Sequence, residues 1–183
     1  MSYKRWLLIA ISLFGVGLIF GFAAPTGITS LLAEDIADLG ELGDLLASLP
    51  LALTALLIFI KNASVLLLSF ILSPIFCLVP ILALTVNGWV IAFMSTLVIQ
   101  EESLGYLLAG LLPHGVFELP AFILGEAAAL SFGTMVIVAL FRKERRSLLL
   151  PNLKQNSRYL MIALALLLPA AIIETYVTPL LLT

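Results

Sequence analysis

The sequence predicts an all-α fold, a polytopic transmembrane helix bundle of about five spans. Three observations predict it. Of the 183 residues, 62% are hydrophobic and only 11% charged, whereas a soluble domain carries about 25% charged residues. So few charges cannot clothe a water-facing globule, and the soluble enzyme classes are set aside. The apolar residues fall into stretches of about 20, the length that crosses a hydrocarbon core ~30 Å thick. The basic residues gather at the N-terminus and in residues 142–158, where cytoplasmic segments of a membrane protein carry them. No separate soluble domain fits beside these stretches, so residues 1–183 read as a single transmembrane domain.

Residues 6–24 follow Lys4 and Arg5 and superficially resemble a signal peptide. A retained first span is the better reading, because the Pro25-Thr26-Gly27 break leads into more membrane sequence. Gly17-x-x-x-Gly21, with Gly15 nearby, suits close helix approach, although glycine is also simply common in spans. Residues 30–48 place Glu34, Asp35, Asp38, Glu41 and Asp44 among leucines, the pattern of an acidic amphipathic connection lying on the membrane. Their spacing lacks the arrangement of a calcium-binding EF-hand loop.

The second span, 50–72, is interrupted by Lys61-Asn62 and ends at Ser73-Pro74, since the residue before proline is pushed out of helical geometry. A third, 80–99, is interrupted by Asn87-Gly88 and closed by Gln100-Glu101-Glu102. Residues 103–115 are too short to cross and are broken by Pro113-His114-Gly115. They read as a half-penetrating segment that turns back into the fourth span, 117–141, with Pro120 in its first turn. The run Arg142-Lys143-Glu144-Arg145-Arg146 halts translocation, and a fifth span covers 159–182 with a kink at Pro169.

Placing the N-terminus and the 142–158 loop in the cytoplasm puts eight of the nine basic residues there, all but Lys61. The acidic connection and Glu101-Glu102 then lie outside, as does the C-terminus. The expected location is the cell membrane, with the lipid bilayer and protein partners or sister subunits as neighbours. A net charge of −2 leaves no nucleic-acid footprint. The single Cys77 excludes an internal disulfide, a four-cysteine zinc site and an iron-sulfur cluster held by this chain alone.

Intramembrane ionisable groups cost about 2.5 to 3.5 kcal/mol each on insertion scales, so they need partners or a function. Counting along the spans sorts them into a mid-membrane layer of Lys61, Asn62, Asn87 and Glu126, and an outer layer of His114, Glu118 and Glu174. Lys61 is expected to pair with Glu126, the alternative being that it snorkels along lipid to an interface. In the outer layer, a histidine with two carboxylates suits a proton relay or a metal site. The alternative is that His114 and Glu118 tie down a broken-helix turn in which Pro113, Gly115 and Pro120, like Gly88 in the third span, serve turning and packing. Without a His-Glu-x-x-His pattern the metal signal is weak, and no metal or cofactor is expected. No nucleophile elbow, metalloprotease motif or phosphate-binding loop is present, so catalysis is not expected either.

The stretch Pro113-His114-Gly115-Val116-Phe117-Glu118-Leu119-Pro120-Ala121 resembles the signature of the stage II sporulation protein M family. Asn62, Asn87-Gly88, Ile172-Ile173-Glu174 and Thr178-Pro179 extend the similarity over roughly residues 55–180. The resemblance implies a polytopic membrane protein without established catalytic activity. In spore-formers it implies a membrane anchor or organiser for partners that remodel septal peptidoglycan, while many relatives belong to organisms that do not sporulate. Lys61 and the acidic connection depart from the pattern. The leading expectation is therefore a non-enzymatic membrane organiser or docking subunit. A transporter or channel-like subunit using the broken fourth-span entry is the alternative, and an intramembrane hydrolase the third.

Overall fold

The computed structural model describes residues 2–24, 41, 45 and 48–182. The expected acidic connection at 30–48 therefore lies almost wholly outside the described residues. The elements are α1 (Tyr3–Phe22), α2 (Leu51–Leu72), α3 (Leu78–Glu101), α4 (Leu104–Phe141), a 3-10 helix (Lys143–Leu148), α5 (Leu149–Tyr176) and the short α6 (Thr178–Leu181). Five segments are long and apolar enough to cross a membrane: α1, α2, α3, α4 and the run Lys143–Tyr176.

The half-penetrating segment is not formed. Residues 103–115 and the fourth span are one 38-residue helix, α4, which passes through Pro113, His114, Gly115 and Pro120. Each proline removes only its own N–H, leaving the carbonyls of Ala109 and Val116 without their usual donors. In apolar surroundings, breaking the helix would strand many more backbone groups than these two, so continuity wins. The N-terminal signal is Ser103, whose hydroxyl accepts from the Tyr106 N–H at 3.1 Å and satisfies one orphan donor of the first turn. At 1.5 Å per residue α4 is ~57 Å long, so it must tilt or extend beyond a ~30 Å core.

Lys61-Asn62 and Asn87-Gly88 likewise sit inside unbroken helices, and Pro169 lies within α5 without ending it. The last long helix begins at Leu149 rather than 159, with Pro151 in its first turn, where a missing donor does no harm.

Contacts fix the relative directions. Gly17 of α1 lies against Thr85 of α3, and Gly21 against Trp89, so these helices run parallel and in close contact. A Cβ on Gly17 would overlap the Thr85 carbonyl, and one on Gly88 the Phe14 carbonyl. Gly88 is thus a packing residue and not a break. Asn62 pairs with Glu118 and Ser69 with Glu126, so α2 and α4 also run parallel. At one end of the bundle lie the start of α1, the turn after α2, the end of α4 and the start of α5. Tyr3 ties the start of α1 to α4 and α5: its ring stacks on Tyr159 at 3.6 Å and its hydroxyl donates to the Leu124 carbonyl at 2.7 Å. The basic residues of 4–5 and 142–158 therefore share one end, with Glu101, Glu102 and the C-terminal helix at the other.

α4 is the central helix. Ala121, Ala127, Ala128 and Ala129 on it are fully buried, and their small side chains let α2, α5 and α1 approach its backbone. The turn from α2 to α3 is tight: Phe76 and Cys77 take positive φ values of 51° and 54°. The Cys77 thiol is buried 3.5 Å from the Thr134 hydroxyl, a packing position and not a reactive one.

Candidate functional site

Because α4 is continuous, His114 and Glu118 stand one turn apart on the same face, with His114 Nε2 3.8 Å from Glu118 Oε2. Glu174 of α5 joins them: one ligand-type atom from each of the three lies within 4.8 Å of the others. The grouping of His114, Glu118 and Glu174 expected from sequence is thus brought together, but by an unbroken helix and not by a turn. Gly115 is buried within the helix, where a Cβ would make ordinary contact with Leu111, so no conformational freedom is used there.

Two further side chains orient the cluster. The Asn62 amide donates to Glu118 Oε1 at 3.0 Å, leaving Oε2 to face the imidazole. Thr178, at the start of α6, lies 3.4 Å from His114 Nδ1, while its own hydroxyl donates to the Ile173 carbonyl at 3.3 Å. Either atom of the Nδ1–Thr178 contact can carry the proton, according to the imidazole tautomer, and the contact turns the Nε2 atom toward the carboxylates.

Beside this cluster is a cavity of about 80 Å³ lined by Lys61, Asn62, Asn87, Glu118, Phe14 and Phe122, among others. That is space for several waters. It occupies the seam between the α1–α3 pair and α2 with α4. Lys61 is exposed and acts electrostatically on Glu174. Asn87 is also exposed, and its amide is used on the Ala83 carbonyl of its own helix at 2.8 Å.

Glu126 is elsewhere. It is fully buried, accepts a hydrogen bond from Ser69, and its Oε1 has no partner among the described residues. The expected Lys61–Glu126 pair is not formed, because Asn62, next to Lys61, meets Glu118 two turns before Glu126. A depth count that starts at Phe117 misplaces Glu118. The helix begins at Leu104, so Glu118 is ~21 Å along it at 1.5 Å per residue and belongs to the level of Lys61.

Ser69 carries no motif that sequence reading picks out. It lies seven residues after Asn62, two turns on along the same face of α2, and that spacing is the available signal. Chemically, the main cluster supplies one nitrogen and two oxygen donors. It can share protons between imidazole and carboxylates or present donors of the types that bind a divalent ion.

An all-helical bundle with five membrane-length apolar helices and an ionisable cluster between them defines a multi-pass integral membrane protein. Residues 10–179 match the family model described as Stage II sporulation protein M, and the chain belongs to that family. It is also similar to an uncharacterized protein of Methanocaldococcus jannaschii, with 26% identity over 174 residues, 94% of this chain and 93% of the relative. No solved structure matches the chain.

Proposed function

We propose that the protein is a non-enzymatic membrane subunit that docks and organises protein partners within the bilayer, with the N-terminus and the 142–158 loop cytoplasmic. The observation that carries this reading is the exposure of Lys61. It lies near the middle of α2, amid exposed Leu57, Ile60 and Leu68. Although it lines the cavity beside Glu118 and acts on Glu174, its ammonium has no carboxylate within salt-bridge distance among the described residues, and an unpaired charge at that depth costs up to about 2.5 to 3.5 kcal/mol. A partner helix that brings a carboxylate or amide to the seam removes the cost and gains the neighbouring apolar surface. Asn87 at the other lip offers a second polar contact. Family membership supports the reading, since the resemblance carried by Pro113–Ala121 implies a polytopic membrane protein without established catalytic activity, which in spore-formers organises partner proteins.

The test is site-specific photocrosslinking in native membranes from Leu57 and Leu68, repeated with Lys61→Met. Docking predicts adducts with one discrete membrane protein or a second copy, reduced at least several-fold by Lys61→Met. Adducts with lipid alone at both positions contradict it.

A further inference from the structure

A second cavity, of about 270 Å³, opens at the basic end of the bundle, far from the His114 cluster. Its lining is divided by chemistry. Arg142, Arg145 and Asn152 contribute charged and amide groups, Ser131 and Thr134 hydroxyls, and Trp6, Met135 and Val138 apolar wall surface. We infer that this cavity binds the phosphate group of an anionic phospholipid, with the start of an acyl chain against the apolar wall.

Four features lead there. Arg146 is engaged, its Nε donating to the Ala139 carbonyl at 3.2 Å, whereas Arg142 and Arg145 have no carboxylate within salt-bridge distance among the described residues. Two arginines lining one cavity supply planar forks of donors, the group that phosphate oxygens match best. The cavity holds far more than a single water, whose share of liquid volume is ≈ 30 Å³. Its position is interfacial: Arg142 immediately follows the last residue of α4, and Asn152 lies in the first turn of α5. A basic cleft between spans at that level meets lipid headgroups directly, and a tryptophan ring beside it spans the polar and apolar zones. The apolar wall distinguishes a lipid from a free phosphate ion, which would gain nothing from Met135 and Val138.

Trp6 reports on the cavity. The chain has two tryptophans, and Trp89 packs on Phe93 in α3. In a Trp89→Phe background, the protein is reconstituted into phosphatidylcholine vesicles containing a small fraction of chain-brominated lipid, either phosphatidylglycerol or phosphatidylcholine. The expected result is that brominated phosphatidylglycerol quenches Trp6 several-fold more effectively, and that Arg142→Gln/Arg145→Gln abolishes the difference. Both arginines are exposed, so the variant retains its packed core. Equal quenching by the two lipids, or a preference that survives the double substitution, overturns the inference. Equal quenching by the two lipids together with a change in Trp6 emission on adding inorganic phosphate, but not sodium chloride of equal ionic strength, would assign the cavity to the free ion and overturn the lipid assignment.

Discussion

Asn62 of α2 donates its side-chain amide to Glu118 Oε1 of α4 across 3.0 Å, and this bond sets both the register of two parallel helices and the direction in which the Glu118 carboxylate faces. Without it, Glu118 would be free to rotate away from His114. Asn62→Ala and Glu118→Ala should each destabilise the protein by about 1 to 3 kcal/mol, the range for losing a hydrogen bond to a charged or buried group. The double variant should lose less than the sum. Chemical unfolding in detergent micelles measures the cycle, and strict additivity would show the two residues uncoupled.

Among the described residues Glu126 has one hydrogen-bond partner, Ser69, and one oxygen with none. Ser69→Ala should therefore destabilise by about 1 to 3 kcal/mol, since it leaves the buried carboxyl with no partner at all. Adding Glu126→Met to Ser69→Ala should recover most of the loss, because replacing both partners by apolar groups removes the desolvation penalty. The same unfolding measurement checks it, and a double variant less stable than Ser69→Ala alone would contradict the account.

The glycines of α1 divide sharply. Gly17→Ala must push apart the backbones of α1 and α3, while a Cβ on Gly15 meets open space. Overpacking of this kind costs about 1 to 3 kcal/mol. Thermal melts should show a clear fall for Gly17→Ala and almost none for Gly15→Ala, and comparable effects would contradict the α1–α3 contact.

The relative directions of the helices place Lys4, Arg5 and residues 142–158 at one end of the bundle. With that end cytoplasmic, Glu144→Cys in a Cys77→Ser background should resist membrane-impermeant thiol reagents in intact cells and react after permeabilisation. Modification in intact cells would reverse the orientation.

Much of this architecture is legible in the sequence because span length and basic-residue placement are read directly from composition. The second to fourth apolar stretches end within two residues of helix ends at 72, 101 and 141, where Ser73-Pro74, Gln100-Glu101-Glu102 and the 142–146 run interrupt them. The grouping of His114, Glu118 and Glu174 is also legible, since buried polar groups seek one another. Local turn chemistry misleads. Pro113-His114-Gly115 would break a helix in water, where exposed backbone is readily solvated, but not where the alternative is unsatisfied backbone in an apolar bundle. The false pairing of Lys61 with Glu126 has the same origin, because it matches the depth of Lys61 to a helix that starts at Phe117. The basic cavity has no sequence signal. Trp6, Thr134 and Arg145 come together only through packing of α1 on α4.

A continuous α4 brings His114 and Glu118 to Glu174 inside the bundle, and the proton-sharing and ion-binding chemistry open to the cluster depends on that convergence. Solid-state NMR recoupling between a ¹⁵N-labelled His114 ring and a ¹³C-labelled Glu174 carboxylate, recorded in lipid bilayers, tests it most directly. A resolved dipolar contact is expected, in keeping with donor atoms within 4.8 Å of one another, as is its weakening in Asn62→Ala as the cluster loosens. Absence of that contact in the folded wild-type protein, with the His114 ring coupled to lipid acyl chains instead, would contradict the convergence.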